Sequence, residues 1–237
     1  MGLYFSGVAG IIQTIDDTVG TNNTTYPIAS KTRDVNLALD KVFSLIFQVG
    51  GTWQFDDSNH TDYPIITTDL VANQRDYSFT TDGAGNLILD IYKVMVADEN
   101  GDYFEVYPVD QQTNPPITMI DGQNTAGQPF FYDKTGNGIF LDPIPNYSET
   151  AGIKIFINRT GSYFSTTDST KVPGFAGLFH EYLVLRPSYM YAMRKGLAQV
   201  DRIEREMLKM ESEIQDYYKK REKDVVRNLV GKRNNYK

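Results

Sequence analysis

Leu87 to Asp110 read LILDIYKVMVADENGDYFEVYPVD. Two runs rich in β-branched and aromatic residues flank DENGD, where Asn100-Gly101 suits a tight hairpin turn with positive φ. The stretch predicts a pair of antiparallel strands, and its surroundings extend the pattern. PFFYDKTGNGIFLDPIP (129–145) repeats the arrangement around KTGNG, and GIKIFINRTGSYF (152–164) supplies a further strand. From Thr52 to about Phe164 short apolar runs alternate with turn clusters. Pro108, Pro115, Pro116, Pro129, Pro143 and Pro145 fall at strand ends, where a missing N–H is tolerated. Roughly five to seven strands are expected, enough for a small antiparallel sandwich or barrel.

On either side of this region the period changes. In TRDVNLALDKVFSLIFQVGG (32–51), Val35, Leu39, Val42, Phe43 and Ile46 recur at helical spacing. Thr32 is the expected cap and Gly50-Gly51 the stop, giving a helix over 33–48. Before it, VAGIIQTIDDTV has the makings of a short helix, and GTNNTTYPIAS reads as a loop. Residues 175–195, FAGLFHEYLVLRPSYMYAMRK, are apolar nearly all round and predict a buried helix, kinked or divided at Pro187 and ended by Gly196. An amphipathic helix about 45 Å long follows from about Ala198 to Arg227. Its apolar stripe is Leu197, Val200, Ile203, Met207, Met210, Ile214 and Tyr217. The predicted fold class is therefore α+β. N- and C-terminal helices (1–50 and 170–227) form a bundle, an antiparallel β-sandwich or barrel-like module (51–169) is inserted between them, and 228–237 is an extended tail.

Composition narrows the function classes. The 237 residues contain no cysteine, which excludes disulfides, thiolate metal sites and cysteine nucleophiles. Residues 1–180 carry 9 basic and 21 acidic residues, net −12, and 181–237 carry 14 and 9, net +5, which together give the −7 of the chain. An acidic body repels a phosphate backbone, so sequence-specific nucleic-acid binding is not expected. No apolar run approaches the ~20 residues that span a bilayer. MGLYFSGVAGIIQ lacks the basic start and cleavage site of a secretory signal, and MGLYFS fits a myristoylation pattern only formally.

The stretch GTWQFDDSNHTDYPI (51–65) gathers the single tryptophan, three aspartates, two of them adjacent, an asparagine and a histidine. As a calcium loop it fails, because Asp62 stands where the turn glycine belongs and Thr68 where a bidentate glutamate belongs. Asp56 and Asp57 are adjacent, so on a strand they point to opposite faces, and no convergent acid accompanies them. His60 and His180 sit in no Ser/His/Asp setting, and His180 reads as a packing residue. Phosphate-loop and dinucleotide fingerprints are absent from the sequence. No catalytic, cofactor or metal residue is assigned, and the chain reads as non-enzymatic. Trp53, Asp56, Asp57, Asn59 and Pro64 instead read as a rigid corner where the chain leaves a helix for the sheet. Trp53 should be buried there, and the polar side chains should bond the turn backbone.

DVNLALDKVFSLI followed by GTWQFDDSNHTDYPIITTDLVANQRDYSF resembles a group of tailed-bacteriophage virion proteins of the head–tail junction. The likeness continues through DENGDYFEVYPVD, GQPFFYDKTGNGIFLDPIP, FINRTGSYFSTTDSTKVPGF and EIQDYYKKR, over about 33–227. It rests on the order of these runs and contains no catalytic motif. The resemblance implies a head-tail connector (adaptor or neck protein) that docks as an oligomeric ring, commonly about twelve copies, beneath the portal. Such a ring extends the channel used in genome packaging and ejection. Implied partners are the portal protein, neighbouring copies, tail or further neck proteins, and genomic DNA passing without sequence-specific contact. No membrane is implied. The implied location is the virion, after synthesis in the host cytoplasm.

Tyr218 to Lys237 carries eight basic residues against two acidic ones. Its end is poorly able to bury itself, so Arg227, Leu229, Val230, Lys232, Arg233, Tyr236 and Lys237 are candidate contacts to the portal or a neighbouring copy. The alternative reading is a carbohydrate- or receptor-binding module of a tail or baseplate, with Tyr63, Tyr77, Tyr103, Tyr107 and Tyr132 as a sugar platform.

Overall fold

The computed structural model describes residues 5, 10–49, 65–82, 85, 87–109, 126–136 and 138–221. It is a mixed α+β structure. Helices α1 (Ile11–Val19) and α2 (Ile28–Gln48) precede seven strands. These are β1 (Ile65–Leu70), β2 (Asp76–Ser78), β3 (Ile88–Ala97), β4 (Tyr103–Pro108), β5 (Phe131–Thr135), β6 (Gly138–Asp142) and β7 (Glu149–Arg159). A 3₁₀ turn at Gly177–Phe179 then leads into α3 (Tyr182–Lys195) and α4 (Val200–Arg221).

The strands form one mixed sheet in the order β1-β7-β3-β4-β5-β6-β2. This departs from an antiparallel sandwich, because the seven strands share one sheet and β4 pairs with β5 in parallel. The parallel step follows from the long connection between those two strands, since tight turns join only antiparallel neighbours. The predicted hairpins do form. Gly101 has φ 84 between β3 and β4, and β5 and β6 pair antiparallel from Phe131–Asp142 to Thr135–Gly138.

The sheet must curl. β1 and β2 lie at opposite edges, yet residues 71–75 alone connect them. Six strand spacings would set flat edges about 29 Å apart, whereas the Cα steps from Leu70 to Asp76 span about 21 Å at most. The two edges are tied where they meet. The Val71 N–H, just after β1, donates to the hydroxyl of Tyr77 on β2 at 3.0 Å. A bulge in β7 helps the bend. Ala151 has φ 56, its N–H donates to Asp69 Oδ1 at 2.7 Å, and the register slips opposite Leu70. The enclosed face holds Val94, Val96, Val106, Leu141, Ile153, Ile155 and Ile157 with Tyr77 and Tyr132.

The helices share a second apolar core. α1 contributes Ile11, Ile12, Ile15 and Val19, and α2 contributes Val35, Leu39, Val42, Phe43 and Ile46. Leu183 and Val184 come from α3, and Ile203, Met207, Ile214 and Tyr218 from α4. α2 packs on both α3 and α4, while α1 packs chiefly on α3. Phe5 and Phe164 stack at 4.5 Å and join this core.

Several expected boundaries move. α2 begins at Ile28, not at residue 33, and Thr32 is no cap. Pro27 precedes the helix with φ −58, and the Thr32 hydroxyl donates to the Ile28 carbonyl inside it. Proline fits here because its fixed φ and missing N–H cost nothing at a helix start. The region 175–195 is a 3₁₀ turn followed by a helix from Tyr182, and Pro187 lies buried within that helix. Gly196 ends α3 in the left-handed region, with its N–H bonding the Ala192 and Met193 carbonyls. On α4 it is Tyr218, not Tyr217, that fills the core, and its hydroxyl accepts the Ala176 N–H at 3.0 Å. No helix among the described residues is long and apolar enough to cross a membrane.

Candidate functional site

Ala29, Arg33, Leu37, Asp40, Ser44 and Gln48 recur every three or four residues on α2 and face solvent. The chain leaving β7 runs beside this stripe. It passes α2 so closely that a Cβ on Gly161 would lie 1.8 Å from the Phe43 ring. Farther on, the Asn36 side chain bonds both backbone groups of Phe164, donating to its carbonyl and accepting its N–H, each at 2.9 Å. Two clefts result, of about 540 and 550 Å³. One is bounded by Leu37 and Ser165, the other by Phe47 and Leu89. Asp40 and Tyr163 border both, and the Tyr163 hydroxyl donates to Asp40 at 2.7 Å. Burial, with the carboxylate beside it, pushes the Tyr163 hydroxyl up to about 12. These clefts have an apolar floor and one tyrosine–carboxylate pair. That chemistry suits docking of a side chain or peptide.

A polar cluster lies beneath the other end of α2. Lys31 is fully buried and donates to Asp16 at 2.5 Å and to Asn23 at 3.0 Å. One turn later Asp34 accepts from the Tyr26 hydroxyl and from Arg194, both at 2.5 Å, and from Arg33 at 3.2 Å. Tyr26 stacks on Tyr191, and the Arg194 guanidinium lies 5.8 Å from the Tyr26 ring centre. Burial and the Asp34 carboxylate push the Tyr26 hydroxyl well above its ordinary range, and the bond to Asp34 raises Arg194. With every charge paired, this cluster fixes α1, α2 and α3 to one another and presents no free acid or base.

A third cleft, of about 750 Å³, lies at the far end of α4 between Phe179 and the face formed by Glu213, Asp216, Tyr217 and Lys220. Phe179 and Tyr217 meet edge to face at 5.3 Å, as do Tyr217 and Tyr218 at 5.2 Å.

The residues singled out from the sequence are distributed unevenly. Trp53, Asp56, Asp57, Asn59 and Pro64 of the expected corner lie outside the described residues. So do Arg227, Leu229, Val230, Lys232, Arg233, Tyr236 and Lys237 of the tail. His180 is a packing residue as expected, with Nε2 2.9 Å from the Phe175 carbonyl and its ring edge-on to Phe175. The sugar-platform tyrosines do not converge. Tyr77 and Tyr132 are buried in the sheet core, and the Tyr103 hydroxyl donates to the Ala151 carbonyl. Tyr107 is exposed, and Tyr63 lies outside the described residues. Among the described residues no group of three or more His, Cys, Asp or Glu side chains is placed to hold a metal ion.

Sequence reasoning missed the Tyr163–Asp40 pair and the Lys31/Asp34 cluster. The second left a trace, since Lys31 and Asp34 fall on the same helical stripe as Val35 and Ala38, and charges on an apolar stripe call for buried partners. The partners themselves lie as far as 160 residues away, and periodicity cannot find them. No known family model and no curated protein matches this chain.

Proposed function

We propose that the protein is a non-enzymatic structural component of a tailed-phage neck, assembling as a ring beneath the portal and extending the DNA channel toward the tail. On this reading the four helices act as a bundle that docks, and the curled sheet is an inserted module that projects from it. The observation carrying the proposal is the shared helical core. Segments from both ends of the chain build it, and it leaves apolar clefts open on α2 and α4. A ring of identical subunits needs two unlike, complementary faces, and these clefts provide one kind. The acidic balance of residues 1–180 favours a channel through which DNA slides, since phosphate binding requires clustered lysine and arginine. The tail residues from Arg227 to Lys237 are the proposed contacts to portal or neighbour.

Electron microscopy and native mass spectrometry of the purified protein, alone and with portal, test the proposal. Closed rings of portal symmetry, about twelve subunits, are expected in the mixture. A protein that stays monomeric and leaves portal unbound at every concentration overturns it.

A further inference from the structure

We infer that the cleft at the end of α4 receives the basic C-terminal segment, residues 222–237, of a second copy of this chain. The inference rests on the ring reading and names the contact between ring neighbours. Its acceptor has an aromatic floor, where the Phe179 and Tyr217 rings meet edge to face, and Glu213 and Asp216 stand exposed on its rim. Lys220 shares the rim, and Lys209 lies 3.7 Å from Glu213 in a solvent-exposed pair, an arrangement too weak to occupy that carboxylate. Next to Phe179, Leu178 projects from the 3₁₀ turn 73 % exposed, the most open large apolar side chain among the described residues. Aromatic faces beside carboxylates attract arginine and lysine, while the apolar floor takes aliphatic side chains.

The proposed occupant has that composition. EKDVVRNLVGKRNNYK carries five basic and two acidic residues, and the pairs Val225-Val226 and Leu229-Val230 lie among the charges. Sixteen residues reach about 53 Å when extended, ample to cross to an adjacent subunit. One tail and one cleft per copy make a head-to-tail contact between unlike surfaces, the type that generates rings.

Charge exchange in the full chain tests the inference, read as the association constant from sedimentation over a concentration series. Glu213→Lys with Asp216→Lys should weaken self-association at least tenfold. Arg227→Glu with Lys232→Glu and Arg233→Glu should do the same, and raised salt should weaken the wild type. All five substitutions together should restore most of the association. Failure of the combined variant to recover overturns the contact, as does a wild type that remains monomeric. Self-association without portal binding keeps the contact and sinks the neck reading, so the two failures are distinguishable. Circular dichroism confirms that each variant is folded, and Glu213 and Asp216 are exposed and belong to neither core.

Discussion

In the helical part, Tyr26, Tyr182 and Tyr189 donate their hydroxyl hydrogens to the carboxylates of Asp34, Glu211 and Glu204. In the sheet, Tyr77, Tyr103 and Tyr147 donate theirs to the backbone carbonyls of Val71, Ala151 and Ala97. The backbone explains the contrast. A helix consumes its own carbonyls four residues along, so a tyrosine lying against it must find a side chain. A curled sheet leaves carbonyls free at bulges, edges and strand ends, and Ala151 and Val71 sit at such places. The tyrosine hydroxyls of the helical part therefore make charge-assisted bonds, and those of the sheet neutral ones. The first kind is about twice as strong and depends on ionisation.

The buried ion cluster gives the largest test of that difference. Asp34→Ala strips the acceptor from the Tyr26 hydroxyl and leaves Arg194 without its carboxylate, while Lys31 remains paired to Asp16. Breaking a buried ion pair from one side costs about 3–5 kcal/mol. Arg194 is partly exposed, so the lower end is expected, measured as a fall in urea-unfolding free energy. A cost below that of deleting one neutral hydrogen bond breaks the comparison, because the cluster would then be a solvated surface feature.

The joint between the two parts comes next. Gly161→Ala forces a methyl group into the Phe43 ring, and overpacking of this kind costs about 1–3 kcal/mol. Gly161→Ala combined with Phe43→Leu should recover part of the loss, because the smaller side chain vacates the contact. Thermal melts of the three variants decide this. Equal stability of Gly161→Ala and wild type would mean that helices and sheet are not held together at this point.

A matched pair of smaller substitutions sharpens the contrast directly. Tyr182→Phe removes a bond to a carboxylate and should cost about 2 kcal/mol, while Tyr103→Phe removes a bond to a carbonyl and should cost about 1 kcal/mol. The ranking matters more than either value. If Tyr103→Phe proves the more damaging, the two parts are not distinguished by their tyrosine chemistry.

How much of this was legible beforehand depends on the range of the interaction. The stripe Val35, Leu39, Val42, Phe43, Ile46 predicts the buried face of α2 correctly, because helical periodicity is local. The Asn100-Gly101 hairpin is legible for the same reason. Curling of the sheet was not, since it follows from strand order, and strand order is set by contacts such as Leu70 with Glu149. The start of α2 lies earlier than expected because threonine as a cap and a proline immediately before a helix compete within a few positions, and Pro27 sets the start. Of the candidate site, the tyrosines were visible as composition but not their partners. Tyr163 reaches Asp40 across 123 residues, and only the fold brings them together.

The last test uses proton release. Tyr163 and Tyr147 are each pushed up to about 12, in both cases first by burial. For Tyr163 the next cause is the Asp40 carboxylate, and for Tyr147 it is the nearby charges of Asp98 and Glu99. A tyrosine whose folded value lies above its ordinary value near 10 favours the folded state while protonated. That stability is fully present below pH 10 and disappears as the pH rises from about 10 to about 12. Tyr26 and Tyr182, raised still further, extend the loss in the helical part beyond that window. Melting temperature should therefore hold to about pH 10 and then fall. Tyr163 is partly solvent-exposed, so its share of the fall is small, and Tyr163→Phe should flatten the curve slightly while leaving neutral-pH stability little changed. Tyrosinate absorbance, followed on the same samples, should show a late-titrating group lost from Tyr163→Phe. If Tyr163→Phe leaves both the absorbance titration and the alkaline slope unchanged, Tyr163 and Asp40 do not hold each other across the two α2 clefts.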